Sequence, residues 1–281
     1  FMHWQTSRFL IDLRTPKVMG IVNVTPDSFS DGGQYASQDA ALAHCDRLLK
    51  DGADMLDIGG ESTRPGALEL PVEDELARVL PIIRHAVTLG VPVSVDTYKP
   101  AVMQAALDLG ADIINDIWAL RWRADGDSPT GQQVVSTHPN CGVCLMHMHR
   151  NPQTMQIAPM EGDVVPQVLL FLKQLTQELR GLGVDSARIC IDPGIGFGKT
   201  VQQNFALLAK QSSLLSLGYP VLAGWSRKSS LAAVTLRSLS NVATMDARDR
   251  LVPSVTAALL AVQNGARVVR VHDVKETVQA L

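Results

Sequence analysis

The chain of 281 residues is 46% hydrophobic and sets 25 Lys and Arg against 28 Asp and Glu, a formal net charge of −3. That length suits one α/β barrel or two modest domains, and the balanced charge argues against a binder that relies on neutralising nucleic-acid phosphates. No apolar run approaches the ~20 residues of a membrane span, and four cysteines (Cys45, Cys141, Cys144, Cys190) are too few for a disulfide framework.

The opening Phe1-Met2-His3-Trp4 lacks a basic segment followed by an apolar one, so no secretory leader is expected and Phe1 reads as a remnant ahead of Met2. A soluble, reduced, cytoplasmic protein is the expectation. Phe9–Leu13 reads as an added strand closing the bottom of a barrel. Eight short apolar runs then follow, at Val18–Asn23, Met55–Gly59, Pro92–Asp96, Ile113–Asp116, Gly142–His147, Ile189–Asp192, Pro220–Ala223 and Val268–Val271. Several are too uniformly apolar for a strand with one wet face, which is how parallel strands covered on both sides read. Helical patterns lie between most of them. Ser37 is a candidate cap for a helix ending near Asp51, and Pro100 suits a first helical turn. Asp163 precedes a stretch to Arg180, and Thr200 one ending near Leu217. Gly52, Gly90, Gly110, Gly183, Gly218 and Gly265 stand between a helix end and a strand, the place of a left-handed terminator. The repetition predicts a single (β/α)8 TIM barrel over 1–281, with 1–15 as an N-terminal extension. The last helix reads as short, which leaves open whether the chain is truncated at Leu281.

Chemistry in such a barrel gathers at the C-terminal ends of the strands. Those positions are unusually polar: Asn23, Glu61-Ser62-Thr63-Arg64, Asp96, Asn115-Asp116, His147, Asp192, Ser226-Arg227-Lys228-Ser229, and Arg270 with His272. Strand alternation puts Ser94 with Asp96, Ile113 with Asn115, and Arg270 with His272 on shared faces. A lone Asp closing a strand is more often a turn or helix cap. Joint occurrence at nearly every strand end is what capping does not require. The loops Val24–Tyr35 and Gly60–Leu70, rich in Gly, Pro and Ser, read as lids over the pocket.

Two motifs read as decoys. Cys141-Gly-Val-Cys144 followed by His147 and His149 suggests zinc, but strand phase puts Cys141 with His147 and Cys144 with Met146 on opposite faces. Gly194-Ile-Gly-Phe-Gly198-Lys-Thr200 fails the phosphate-loop spacing, because Pro193 stands where a glycine is required. It reads as a flexible turn that brings backbone close to a planar ligand. The apolar stretch Leu251–Val262 reads as a core-facing helix and not a partner surface.

The segments Val22-Asn23-Val24-Thr25-Pro26-Asp27-Ser28-Phe29-Ser30-Asp31-Gly32-Gly33 and Asp57-Ile58-Gly59-Gly60-Glu61-Ser62-Thr63-Arg64-Pro65-Gly66 resemble the two signatures of bacterial dihydropteroate synthases. The resemblance continues through Ser94-Val95-Asp96-Thr97, Ile114-Asn115-Asp116, Leu145-Met146-His147-Met148, Ile191-Asp192-Pro193-Gly194, Ser226-Arg227-Lys228-Ser229 and Arg270-Val271-His272-Asp273. It implies a barrel enzyme, usually a homodimer, that condenses 6-hydroxymethyl-7,8-dihydropterin pyrophosphate with p-aminobenzoate and releases pyrophosphate. By that resemblance Asp96, Asn115, Ile117, Met146, Asp192, Phe197, Lys228 and Arg270 receive the pterin, and Thr63, Arg270 and His272 bind the pyrophosphate. Phe29, Thr63, Pro65, Lys228 and Ser229 bind p-aminobenzoate, Asn23 contacts Mg2+, and Phe29, Pro65 and Ser229 discriminate sulfonamides. Asp31 and Arg64 are expected to pair over a transient cation, alongside Lys228, Arg270 and His272 as catalytic groups. Departures are modest: Ile195 stands where the family often has Phe or Met, and Trp225 precedes the Ser-Arg-Lys-Ser run.

Two rivals remain at this point. A pterin-dependent methyltransferase barrel shares the Asp and Asn anchors but needs neither the first-loop signature nor Asn23, Arg270 and His272. A catalytically silent pterin-binding relative is expected to have lost a lid or phosphate residue.

Overall fold

Each predicted strand forms within two residues of its expected limits. The computed structural model describes residues 3–25, 33–239 and 243–281, the side chains of 33–36 excepted. Strands β3 (Lys17–Asn23), β4 (Met55–Gly59), β5 (Val93–Asp96), β6 (Ile113–Asp116), β7 (Gly142–Met146), β8 (Ile189–Asp192), β9 (Val221–Ala223) and β10 (Ala266–Val271) run parallel and close into a barrel, β10 pairing with both β9 and β3. Helices alternate with them: α1 (Gly33–Lys50), α2 (Val72–Ala86), α3 (Pro100–Asp108), α4 (Gly131–Thr137), α5 (Val164–Gly181), α6 (Val201–Ala209), α7 (Ser229–Arg237), α8 (Leu251–Gln263) and α9 (Val274–Ala280). This is a (β/α)8 TIM barrel, with α7 and α8 both between β9 and β10. The six junction glycines all have positive φ, from 76° at Gly90 to 105° at Gly52, the conformation an L side chain resists.

Ahead of the barrel, β1 (His3–Gln5) and β2 (Leu10–Asp12) form an antiparallel hairpin, so the added strand anticipated at Phe9–Leu13 has a partner. The hairpin is a plug. Trp4, fully buried, donates from Nε1 to the Arg188 carbonyl at 2.9 Å. Together with Ile11 and Leu13 it packs beneath Met19, Met55, Ile113, Cys144, Cys190, Leu222 and Val268. The alternate positions, such as Val18, Val22, Leu56 and Val95, face the helices.

Helix starts follow the caps in most cases. Asp163 accepts from Val165 N–H, Thr200 and Gln203 form a reciprocal box, and Pro100 opens α3. Ser37 is not a cap, because α1 already begins at Gly33. The stretch from Thr200 to Leu217 is not one helix: α6 ends at Ala209 and Gln211–Leu217 continues as 3-10 turns. Helix α8 is only half core-facing. Ser254, Ala257, Ala258 and Ala261 are buried, while Val252 is 73% exposed. Among the described residues, no helix is long and apolar enough to cross a membrane.

Candidate active site

Register and phase build the floor of the site. Asn23 pairs with Gly59, Gly59 with Asp96, and Asp96 with Asn115, which aligns four strand ends in one row. Gly59 lies tight against the next strand: a Cβ there would meet Asp96 Cβ at 3.3 Å. One turn of the pleat below lie Asp57 and Ser94, which pair with each other and point inward.

Arg270 of β10 enters this floor from the far side of the barrel closure. Its Nε donates to Asp57 Oδ2 at 2.6 Å and its Nη2 to Asp96 Oδ2 at 3.0 Å. Asn115 Nδ2 donates to the same Asp57 oxygen at 3.1 Å. Burial pushes the Asp96 carboxyl upward, opposed chiefly by the Arg270 guanidinium. Two buried atoms of the floor, Asp57 Oδ1 and Ser94 Oγ, have no partner among the described residues, so the floor holds hydrogen-bonding capacity that those residues do not use.

Asp192 closes β8 and is 7% exposed. Its Oδ1 accepts the Gly194 N–H at 2.8 Å. Burial raises its carboxyl, against the pull of the Gly194 N–H and the neighbouring Lys228, Lys199 and Arg270. Lys228 precedes α7, donates to the Ile195 carbonyl and stands 4.9 Å over the Phe197 ring. Burial lowers its ammonium to about 8. Ile117 and Met146 sit in one apolar cluster with Tyr98, Met148 and Met155, and Phe197 packs against it, so the three expected wall residues do share a wall.

His272 lies above Arg270 on the inward face. Its backbone N–H donates to Ser226 Oγ at 3.0 Å, and its Nδ1 is 2.8 Å from the same hydroxyl. Burial, with Arg227 and Arg270 nearby, lowers the imidazole to about 3, so it is neutral near pH 7. Arg64 adds a smaller push in the same direction, which puts the 60–70 loop within electrostatic reach of His272. In that loop Thr63 is half-buried while Arg64 and Pro65 are exposed. Ser229 is exposed at the start of α7. Phe29 and Asp31, with the centre of the expected first lid, lie outside the described residues.

The remaining strand-end groups belong to the frame. Asp116 turns outward and caps the next turn, accepting from Trp118 and Leu120 N–H at 2.8 and 2.7 Å. His147 also faces out, edge-on to Phe171, and burial lowers it to about 2. Cys141 lies on the helix side and Cys144 inside the barrel, as strand phase requires. Among the described residues no group of three His, Cys, Asp or Glu is placed to hold a metal. The glycine segment 194–198, expected as a turn, is braced from within. Lys199, 2% exposed, turns back inside it and donates to the carbonyls of Gly194 and Phe197 at 2.7 and 3.1 Å. Gly194 itself admits no side chain, since a Cβ would lie 1.8 Å from the His147 carbonyl oxygen. The sequence motifs contain Asp57, Ser94 and Ser226, but sequence reasoning assigned none of the three a role in the site. The first two share the inward phase of Met55 and of Asp96, a signal that was present.

The family described as pterin binding enzyme matches residues 19–272, the whole barrel from β3 to His272. Dihydropteroate synthase of Neisseria meningitidis serogroup C is 48% identical over 282 residues, covering 99% of this chain and 95% of its own. The chain belongs to the dihydropteroate synthases. Dihydropteroate synthases are transferases of folate synthesis, and this chain is one of them by both sequence and fold. The Xanthomonas albilineans dihydropteroate synthase with 4-aminobenzoic acid has a TM-score of 0.86 at 48% identity, covering 96% of this chain and 92% of that one. The same enzyme in complex with 7,8-dihydropteroate gives a TM-score of 0.83 at 45% identity, covering 96% and 93%.

Proposed function

We propose that the floor and rim described above join a dihydropterin, activated as its pyrophosphate, to p-aminobenzoate, in one domain spanning 1–281. The observation that carries these assignments is the floor itself: Arg270 and Lys228 set among Asp57, Asp96, Asn115 and Asp192. A pterin presents adjacent N–H donors beside a carbonyl on one flat edge. Asp192, with one oxygen already engaged by Gly194, takes a pair of those donors, and Asp96 and Asn115 complete the edge. Lys228 donates to the pterin carbonyl and ring nitrogen, and Ile117, Met146 and Phe197 supply the apolar faces. Arg270, pinned at Nε by Asp57, lays its planar guanidinium over the ring.

Thr63, Arg270 and His272 bind the pyrophosphate. A Ser226 hydroxyl that accepts from His272 N–H and donates to Nδ1 leaves the imidazole proton on Nε2, free to donate to a phosphate oxygen. The C–O bond to pyrophosphate breaks first, and its electron pair departs with the phosphate. The positive charge left on the exocyclic methylene spreads into the pterin, the neutral aryl amine attacks it, and the amine nitrogen then releases a proton. Asp31 and Arg64 pair above that cation. Phe29, Thr63, Pro65, Lys228 and Ser229 hold p-aminobenzoate, its carboxylate meeting Ser229 at the start of α7, and the same positions receive sulfonamides.

Mg2+ is the implied cofactor. Asn23 offers a hard oxygen donor at the end of β3, beside the side-chain-free Gly59, which suits an ion that keeps water and substrate phosphate oxygens as its other ligands. When bound, it would neutralise charge on the departing pyrophosphate. A homodimer is supported by the apolar residues left exposed around α7 and α8, namely Val234, Leu239, Val252 and Leu260, a reading that reverses the expectation that Leu251–Val262 offers no partner surface. Four buried free cysteines are in keeping with a cytoplasmic setting.

The test is direct. With dihydropterin pyrophosphate and Mg2+, sustained pyrophosphate release is expected to depend on p-aminobenzoate, which traps the cation before pyrophosphate recombines with it, and chelation of the metal is expected to stop it. Release that ignores p-aminobenzoate, or none at all, would overturn the proposal.

A further inference from the structure

Loop 60–70 leaves β4 and returns into α2 through a buried ionic clasp that none of the site assignments uses. Lys99, which stands just before α3 and is 1% exposed, donates from Nζ to Glu61 Oε2 at 3.0 Å and to Glu75 Oε2 at 2.7 Å. The other oxygen of Glu61 accepts the N–H of Leu70 at 2.5 Å. One carboxylate therefore ties the second residue of the loop to its last, and both to a lysine anchored on a third element. The neck is tightened further by Arg78, whose Nη1 donates to the Gly60 carbonyl at 2.9 Å. The Lys99 ammonium also stands 5.0 Å over the Tyr98 ring, which lies in the cluster that contains Ile117 and Met146. The clasp thus touches the pocket wall on one side and carries the loop on the other.

Stability alone is a poor reason for such a cluster. Burying two carboxylates and an ammonium strips each of water, and well-packed apolar residues hold neighbouring elements at least as well. What apolar residues do not supply is direction: an acceptor at a fixed point for Leu70 N–H and a fixed take-off for Thr63, two residues beyond Glu61. We propose that Glu61, held by Lys99 and Glu75, is a positioning residue that sets loop 60–70 over the floor for capture of p-aminobenzoate. The inference rests on the assignment of Thr63 and Pro65 to that substrate.

Glu61→Ala is the test, because Lys99 keeps Glu75 and no buried cation is orphaned. Two readouts apply: hydrogen exchange at the Leu70 amide, and the separate Michaelis constants for the two substrates. Losing a charge-assisted hydrogen bond at the neck is expected to speed Leu70 exchange about tenfold and to raise KM for p-aminobenzoate about tenfold or more. KM for the pterin pyrophosphate is expected to rise less, by about threefold at most, since only Thr63 among its contacts rides on the loop and the others lie on the barrel floor and rim. Glu61→Gln keeps the reach but only one of the two acceptors, its amide nitrogen facing either Leu70 N–H or the Lys99 ammonium, and both readouts are expected to fall between those of Glu61→Ala and the parent. A merely structural role would lower Tm without splitting the two constants, and would overturn the proposal. So would unchanged Leu70 exchange, or equal rises in both constants. Failure of the parent enzyme itself to make dihydropteroate is a separate result, and it would count against the assignment of the site and not the clasp.

Discussion

At the bottom of the barrel the inward positions are Met19, Met55, Ile113, Cys144, Cys190 and Val268, sealed from below by Trp4. Two residues further along the same strands, the inward faces carry Asp57, Asn115, Asp192 and Arg270. The backbone is the same at both levels, and so is the alternation. Only the chemistry changes, from a dry plug that no ligand reaches to a polar floor with unspent acceptors. The contrast separates what holds the barrel from what works in it, and it is open to attack from either end.

The largest effect is expected at the floor. Asp192→Ala removes the acceptor for paired pterin donors, and losing one partner of a buried charged hydrogen bond lowers kcat/KM for the pterin substrate about 100- to 1,000-fold. Because burial raises the Asp192 carboxyl, its removal is expected to cost the fold little beyond the freed Gly194 N–H, about 1–3 kcal/mol. Steady-state kinetics beside a urea titration would decide. A variant that unfolded early while keeping its kcat/KM would erase the distinction between floor and plug.

The plug predicts the reverse. Trp4→Ala opens a cavity beneath the barrel and leaves the Arg188 carbonyl without its donor, at a cost of about 3–5 kcal/mol. Turnover per folded molecule should stay within about twofold, because nothing in the floor has moved. A fall in kcat at full folding would mean the two ends are coupled.

The smallest effect is a pH dependence. Burial lowers Lys228 to about 8 from the ordinary 10.5, and its role as a donor requires the protonated form. Turnover is therefore expected to fall as pH rises through about 8, by at most about tenfold per unit. Stability of the ligand-free protein should move the other way. Between about 8 and 10.5 the unfolded chain binds the proton and the folded one does not, so raising pH across that window favours folding. Lys228→Met should abolish both trends, and an alkaline fall in turnover that survives it would assign the titration elsewhere.

Much of this was legible from short-range pattern. The eight strands announce themselves as apolar runs bounded by Gly, Pro or Asp, and the six glycine junctions mark the helix ends, because both signals are set by residues within a few positions of each other. Phase carried part of the site as well, correctly turning Asn115 inward beside Asp96 and keeping Cys141 apart from Cys144. What stayed hidden depends on distant partners. Asp57 and Arg270 meet across 213 positions, and no local rule tells a floor aspartate from a helix cap. Lys99 and Lys199 carry no local sign of burial, yet Lys99 is buried because carboxylates of other segments enclose it and Lys199 because it turns back onto the carbonyls of its own loop. Ser37 misled for the opposite reason. It is a good cap by composition, but α1 was already under way four residues earlier. In α8 the uniformly apolar sequence concealed which face meets the core, and only packing against β10 resolves it.

The ring of strands has no seam that nearby residues can close. Val18 of the first barrel strand is partnered by Val269 of the last, so a ribosome must release nearly the entire chain before the circle can shut. Until then β3 and β9 are open edges on a growing half-barrel, and the nascent protein is most vulnerable to pairing with a stranger during that interval.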